Sequence, residues 1–271
     1  MKFAHILNEL GNTNPETFEK TEGRRSILKS FGSKLALAAV PLAASSVFNK
    51  AQAKTTDILA EAIVFALGIS YMQAAYIREG LAATGLIPAD AQGDFQKMLD
   101  QKDKHIAFWI YYLTKTNNTV PTVPTYDFKA KNALPDVFTN YATYLTLAHA
   151  LEDVGVRMYQ TSIKNLLTNK AFRSDAVNIM TTIARHAAHV RLLRRNLGGT
   201  DIMPWITGTN AYSIVGEIQK AYQGEDNTKQ SNSNAEGVNG FAISFDAATA
   251  AFDEPMGVAD ANAFMSKFIK P

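Results

Sequence analysis

Between Asn117 and Pro135 the chain carries no helical period, while long segments on either side place apolar residues at helical spacing. That interval holds Pro121, Pro124 and Pro135, and at about twenty residues it is too long for an ordinary helix–helix turn. Before it, a first helix is expected from Asp57 to about Thr84, stopped by Gly80, Gly85 and Pro88, and a second from Asp90 to Lys115. After it, a third is expected over Asp136–Thr168 and a fourth over Ser174–Leu197, ending on Gly198 and Gly199. Two close-coupled pairs joined by one long crossover specify an all-α, up-down-down-up four-helix bundle.

The chain can build such a core. Of its 271 residues 46% are hydrophobic and 19% charged, as in a soluble globular protein. It has no cysteine, which excludes a disulfide framework, a Cys-ligated metal or iron–sulfur site, and thiol catalysis. The net charge of +2 is misleading, because seven of the 27 Lys and Arg but only four of the 25 Asp and Glu fall within residues 1–53. The remainder is close to neutral, with no basic field to attract nucleic acid or anionic lipid.

Residues 1–53 read as an address. Arg24 and Arg25 precede Ser26-Ile27-Leu28-Lys29, an apolar run from Leu35 to Val47 follows, and Ala51-Gln52-Ala53 supplies a small-x-small cleavage site. This pattern resembles a twin-arginine export signal, and it implies a periplasmic or otherwise exported protein cleaved near Ala53. The apolar run is too short to span a bilayer and contains Pro41, so no permanent membrane anchor is expected after cleavage. Residues 54–199 then form the bundle. Residues 200–271, rich in Gly, Asn, Ser and Pro, have too few periodic apolar positions for a second core. They are expected as an irregular C-terminal wrap on the bundle, with helices near Tyr212–Tyr222 and Val258–Ile269.

The informative residues are polar ones on the stripes that should face inward. The first helix places Ser70 and Gln73 on such a stripe, and the second Lys102 and His105. The third places Glu152 between Ala148 and Val156, and the fourth His186 between Ile183 and Val190. Burying Glu152 alone costs several kcal/mol, so it requires a cation, a hydrogen-bond donor or a metal.

These residues also carry a resemblance. The run Val64–Tyr76, with Ser70 and Gln73 at two acidic positions, is similar to the first-helix motif of the bacterial ferritin-like domain family. Ala148-His149-Ala150-Leu151-Glu152-Asp153 resembles its third-helix motif, and Ala184-Arg185-His186-Ala187-Ala188 with Arg191 its fourth. Tyr222–Thr228 and Ala251–Pro255 are similar to segments that recur in exported members. The resemblance implies a ferritin-like fold over residues 56–270.

It also implies a di-metal site, which takes one Glu from each of two helices and Glu-x-x-His from each of the others. Here Ser70, Lys102 and Ile183 stand at degenerate ligand positions, while Glu152, His105 and His186 are retained. Gln73, His149 and His189 are supporting polar residues, and the register His186-x-x-His189 restores no carboxylate. One carboxylate does not suffice for two hard divalent ions.

The chain is therefore expected to be a non-catalytic exported ferritin-like protein, with Lys102 pairing Glu152 and with Ser70, Gln73 and His186 completing a polar network. Two alternatives stay open. One is a single divalent metal on His105, Glu152 and His186, and the other a di-iron or di-manganese oxidoreductase. The expected partner is a related ferritin-like protein or a second copy of the chain, and not nucleic acid.

Overall fold

Helical spacing in the sequence becomes four long helices in the computed structural model, which describes residues 58–165, 169–199, 201–209 and 216–270. These are α1 (Ile58–Ala82), α2 (Ala89–Lys115), α3 (Tyr141–Asn165) and α4 (Lys170–Asn196). The leader expected over residues 1–53, with Arg24, Arg25, Ala51 and Ala53, lies outside the described residues.

Two helix starts differ from expectation, each for the same reason. α3 begins at Tyr141 and not Asp136, because the Asn140 side chain accepts from the backbone N–H of Ala142 at 3.0 Å and of Thr143 at 3.3 Å. α4 begins at Lys170 and not Ser174, because Asn169 accepts from the Phe172 N–H at 3.3 Å. Gly80 does not end the first helix either; it is buried inside α1. A Cβ there would come within 2.3 Å of the Tyr144 ring, so the missing side chain allows α3 to close on α1.

Side-chain contacts fix the directions. Tyr76 meets Tyr144 and Ser70 meets Tyr159, so α1 and α3 are antiparallel. Phe95 meets Tyr144, Lys102 meets Glu152 and Trp109 meets Tyr159, so α2 and α3 run parallel on the two sides of the crossover. Asp153 with Arg191, and His149 with Arg194, set α4 antiparallel to α3. The order is up, down, down, up. Aromatic rings close both ends of the interior, with Tyr144 between Tyr76 and Phe95 at one end and Phe172 against Trp109 and Tyr112 at the other.

The C-terminal part wraps the bundle, and its last helix is shorter than expected. A 3-10 turn covers Gly216–Tyr222, and residues 210–215 lie outside the described set. Next come a two-strand hairpin, β1 (Lys229–Gln230) with β2 (Ser233–Asn234), and α5 (Phe245–Thr249), neither foreseen, and then α6 (Val258–Met265). The tail pairs with the crossover: Asp127 N–H donates to Phe268 at 2.7 Å and Lys270 N–H to Thr125 at 2.9 Å. The middle of α3 is therefore enclosed by α1, α2, α4 and the wrap, and all residues from Leu147 to Tyr159 are buried.

Candidate functional site

Halfway along the bundle, polar side chains from all four helices meet on Glu152. Lys102 of α2 brings Nζ to 2.8 Å from Glu152 Oε2, with the two side chains 1% and 3% exposed. The same ammonium donates to Gln73 Oε1 of α1 at 3.0 Å. Gln73 in turn donates through Nε2 to the Leu151 carbonyl at 2.8 Å and more weakly to Glu152 Oε2 at 3.4 Å. From α4, His186 faces Glu152 with Nδ1 at 3.6 Å, too far for a hydrogen bond, while its Nε2 lies 2.6 Å from Gln101 Oε1.

Charge and burial oppose each other here. Burial works to raise the Glu152 carboxyl, but Lys102 and the facing His186 together outweigh it and hold it below the usual range. Burial lowers the Lys102 ammonium against the attraction of Glu152. His105, half-buried on α2, is held down to about 4 by burial and then by the nearby Lys102 charge, so it is neutral at ordinary pH.

Small residues give this cluster its room. Gly155 of α3 lies under the Gln73 carboxamide, and a Cβ there would come within 2.2 Å of Nε2 and 3.1 Å of Ile183 Cγ2. Ile183 is itself buried and closes the α4 side. Ser70 is not part of the Glu152 network. It lies one turn along α1, bonded to the Ala66 carbonyl at 2.9 Å and to the Tyr159 hydroxyl at 3.0 Å, which also accepts from Trp109 Nε1 at 2.9 Å. The expectation that Ser70 bonds Glu152 is thus corrected: three residues along α1 is a rise of about 4.5 Å, a separate layer.

Two histidines expected as supporting residues are elsewhere. His189 is half-buried near the bundle's edge, with Nε2 3.0 Å from Asp94 Oδ2. His149 is fully buried, but on the opposite side of α3, where it belongs to a second network that the stripes did not reveal. There Asp153 receives Arg191 Nη2 at 2.5 Å and the Tyr222 hydroxyl at 2.6 Å, with His149 Nε2 at 3.0 Å. Arg194 Nη1 approaches His149 Nδ1 at 2.5 Å, which suits a neutral ring accepting a hydrogen bond. Burial holds His149 down to about 4. Burial works to raise Asp153, yet the Arg191 guanidinium, with His149 and the Tyr222 hydroxyl bonded to the carboxylate, together bring it down to about 2.

One turn further, Arg157 pairs with Glu225 at 2.6 Å and donates to the carbonyls of Glu254, Gln223 and Ala221, fastening the wrap to α3. The available signal was His149, Asp153 and Arg157 at four-residue steps along an otherwise apolar helix.

Four helices in up-down-down-up order, with an inward polar residue from each meeting at mid-length, define a ferritin-like bundle. The ferritin-like domain model matches residues 58–196, and the chain belongs to that family. No curated protein matches the chain.

Proposed function

We propose that this chain is an exported, non-catalytic ferritin-like protein whose central cavity is filled by its own ion pair and has no di-metal centre. The observation that carries the reading is Lys102 Nζ at 2.8 Å from Glu152 Oε2. A carboxylate-bridged metal pair needs several anionic oxygens at its centre. Here the inward positions offer Glu152 alone, with Gln73, Lys102 and Ile183 beside it, and a fixed positive charge occupies the oxygen a cation would take. The donor set does not fit two metals, so no oxidase, catalase or iron-storage step is derived for it. The protein then acts through its surface, on a related ferritin-like protein or a second copy of itself. Export is supported by Arg24 and Arg25 ahead of the apolar run and Ala51-Gln52-Ala53.

Metal analysis tests this on protein purified without a histidine tag, before and after anaerobic ferrous loading. The expected content is no stoichiometric metal. One tightly bound ion per chain would replace the reading with a mononuclear site on His105, Glu152 and His186. Two would revive the oxidoreductase.

A further inference from the structure

We propose that Gln73 and Lys102 become joined by an isopeptide bond that the folded core forms on itself, with Glu152 carrying the protons. The inference rests on the reading above in one respect, that Glu152 is not engaged by a metal, and it takes the Lys102–Glu152 ion pair as the state from which the bond forms.

The contacts fix the Gln73 carboxamide in one orientation. Its Nε2 must be the end facing the Leu151 carbonyl at 2.8 Å, an acceptor, and its Oε1 the end facing the Lys102 ammonium at 3.0 Å, a donor. Glu152 Oε2 consequently lies 2.8 Å from the nitrogen that would attack and 3.4 Å from the nitrogen that would leave. One carboxylate oxygen thus reaches both ends of the transfer. Gln73, Lys102 and Glu152 are 1–2% exposed, so water does not compete as nucleophile. Four packed helices keep the reacting groups together, which replaces a bimolecular encounter with a preset one.

Every atom in the step is accounted for by these three side chains. Glu152 takes a proton from the Lys102 ammonium, and the freed lone pair on Nζ attacks Gln73 Cδ to form a C–N bond. Collapse of the tetrahedral intermediate breaks the Cδ–Nε2 bond and releases ammonia. Of the three ammonium protons, one stays on the new amide, one leaves with the ammonia and one remains on Glu152. No oxidant or reductant is needed. Two buried charges become none, and the expense of holding an ion pair in a dry interior favours the product. The bond ties α1 to α2 in a chain that has no cysteine to make a disulfide.

Intact-mass measurement and tryptic mapping of the folded full chain, with metal content read on the same sample, test this. The expected result is a mass lower by one ammonia, about 17 Da, a linked peptide containing Gln73 and Lys102, and no tryptic cut after Lys102. Lys102→Arg keeps a cation beside Glu152 but removes the nucleophilic amine, and Glu152→Gln keeps both reacting groups but removes the proton acceptor. Each variant, if helical by circular dichroism, should show the full mass, and either one alone carries the control. A link that persists in folded Glu152→Gln overturns the role of Glu152. Wild-type protein with Gln73 and Lys102 in separate peptides and no metal overturns the bond and leaves the proposed function standing. Two bound metals would overturn both.

Discussion

Replacing Arg191 by Met should destabilise the protein more than the loss of a surface ion pair would. Arg191 and Asp153 have side chains 1% and 4% exposed, with Nη2 to Oδ2 at 2.5 Å. At that distance and an effective dielectric of about 20, the attraction is roughly 7 kcal/mol before desolvation is subtracted. Removing one partner strands the other, and a buried carboxylate left to the Tyr222 hydroxyl and His149 costs about 3–5 kcal/mol. Arg191 Nη1 also donates to the Trp205 carbonyl at 2.8 Å, so the wrap loosens with it. For a domain of this size each kcal/mol moves the melting temperature by roughly 2–4 °C, so the loss should be about 6–20 °C.

The decisive comparison is the double variant Arg191→Met with Asp153→Asn, followed by circular dichroism at 222 nm during heating. Removing both charges of the pair leaves neither stranded by loss of the other, and much of the single-variant loss should return. If the two losses merely add, Asp153 and Arg191 do not depend on each other and the reasoning fails.

Arg24→Lys with Arg25→Lys should leave uncleaved precursor in the cytoplasm; mature protein beginning near Lys54 in that variant would refute twin-arginine export. Gly155→Ala forces a methyl against Gln73 Nε2 and Ile183, and should cost about 1–3 kcal/mol; an unchanged melting temperature would refute the close approach. His149 is held down to about 4 in the folded state against 6.5 for an ordinary histidine, so its contribution is complete above pH 6.5 and is lost as pH falls toward 4. Melting curves across that range should show the decline, with a shallower slope in a folded His149→Gln variant.

How far the sequence reveals this molecule depends on which neighbours satisfy each residue. The stripes expose Gln73, Lys102, Glu152 and His186 because each is a polar interruption in an apolar row facing the bundle axis, and four such rows can meet only there. They do not separate Ser70 from Gln73, since residues three apart share a face and only the rise along α1 puts one with Tyr159 and the other with Lys102. Asp153 stayed hidden for a different reason. It follows Glu152 directly, and one residue turns a helix by about 100°, which in an ordinary amphipathic helix would place it in water. Over Leu147–Tyr159 α3 is not amphipathic: Leu147, Ala150, Leu151, Val154 and Met158 are buried all round it. A helix with no face toward water must find every polar partner inside the protein. Two adjacent carboxylates pointing about 100° apart then require cations from different elements, Lys102 on one side and Arg191 on the other. The helix's own sequence states the requirement. The residues that meet it lie about forty to seventy positions away in sequence, where only the folded topology brings them into reach.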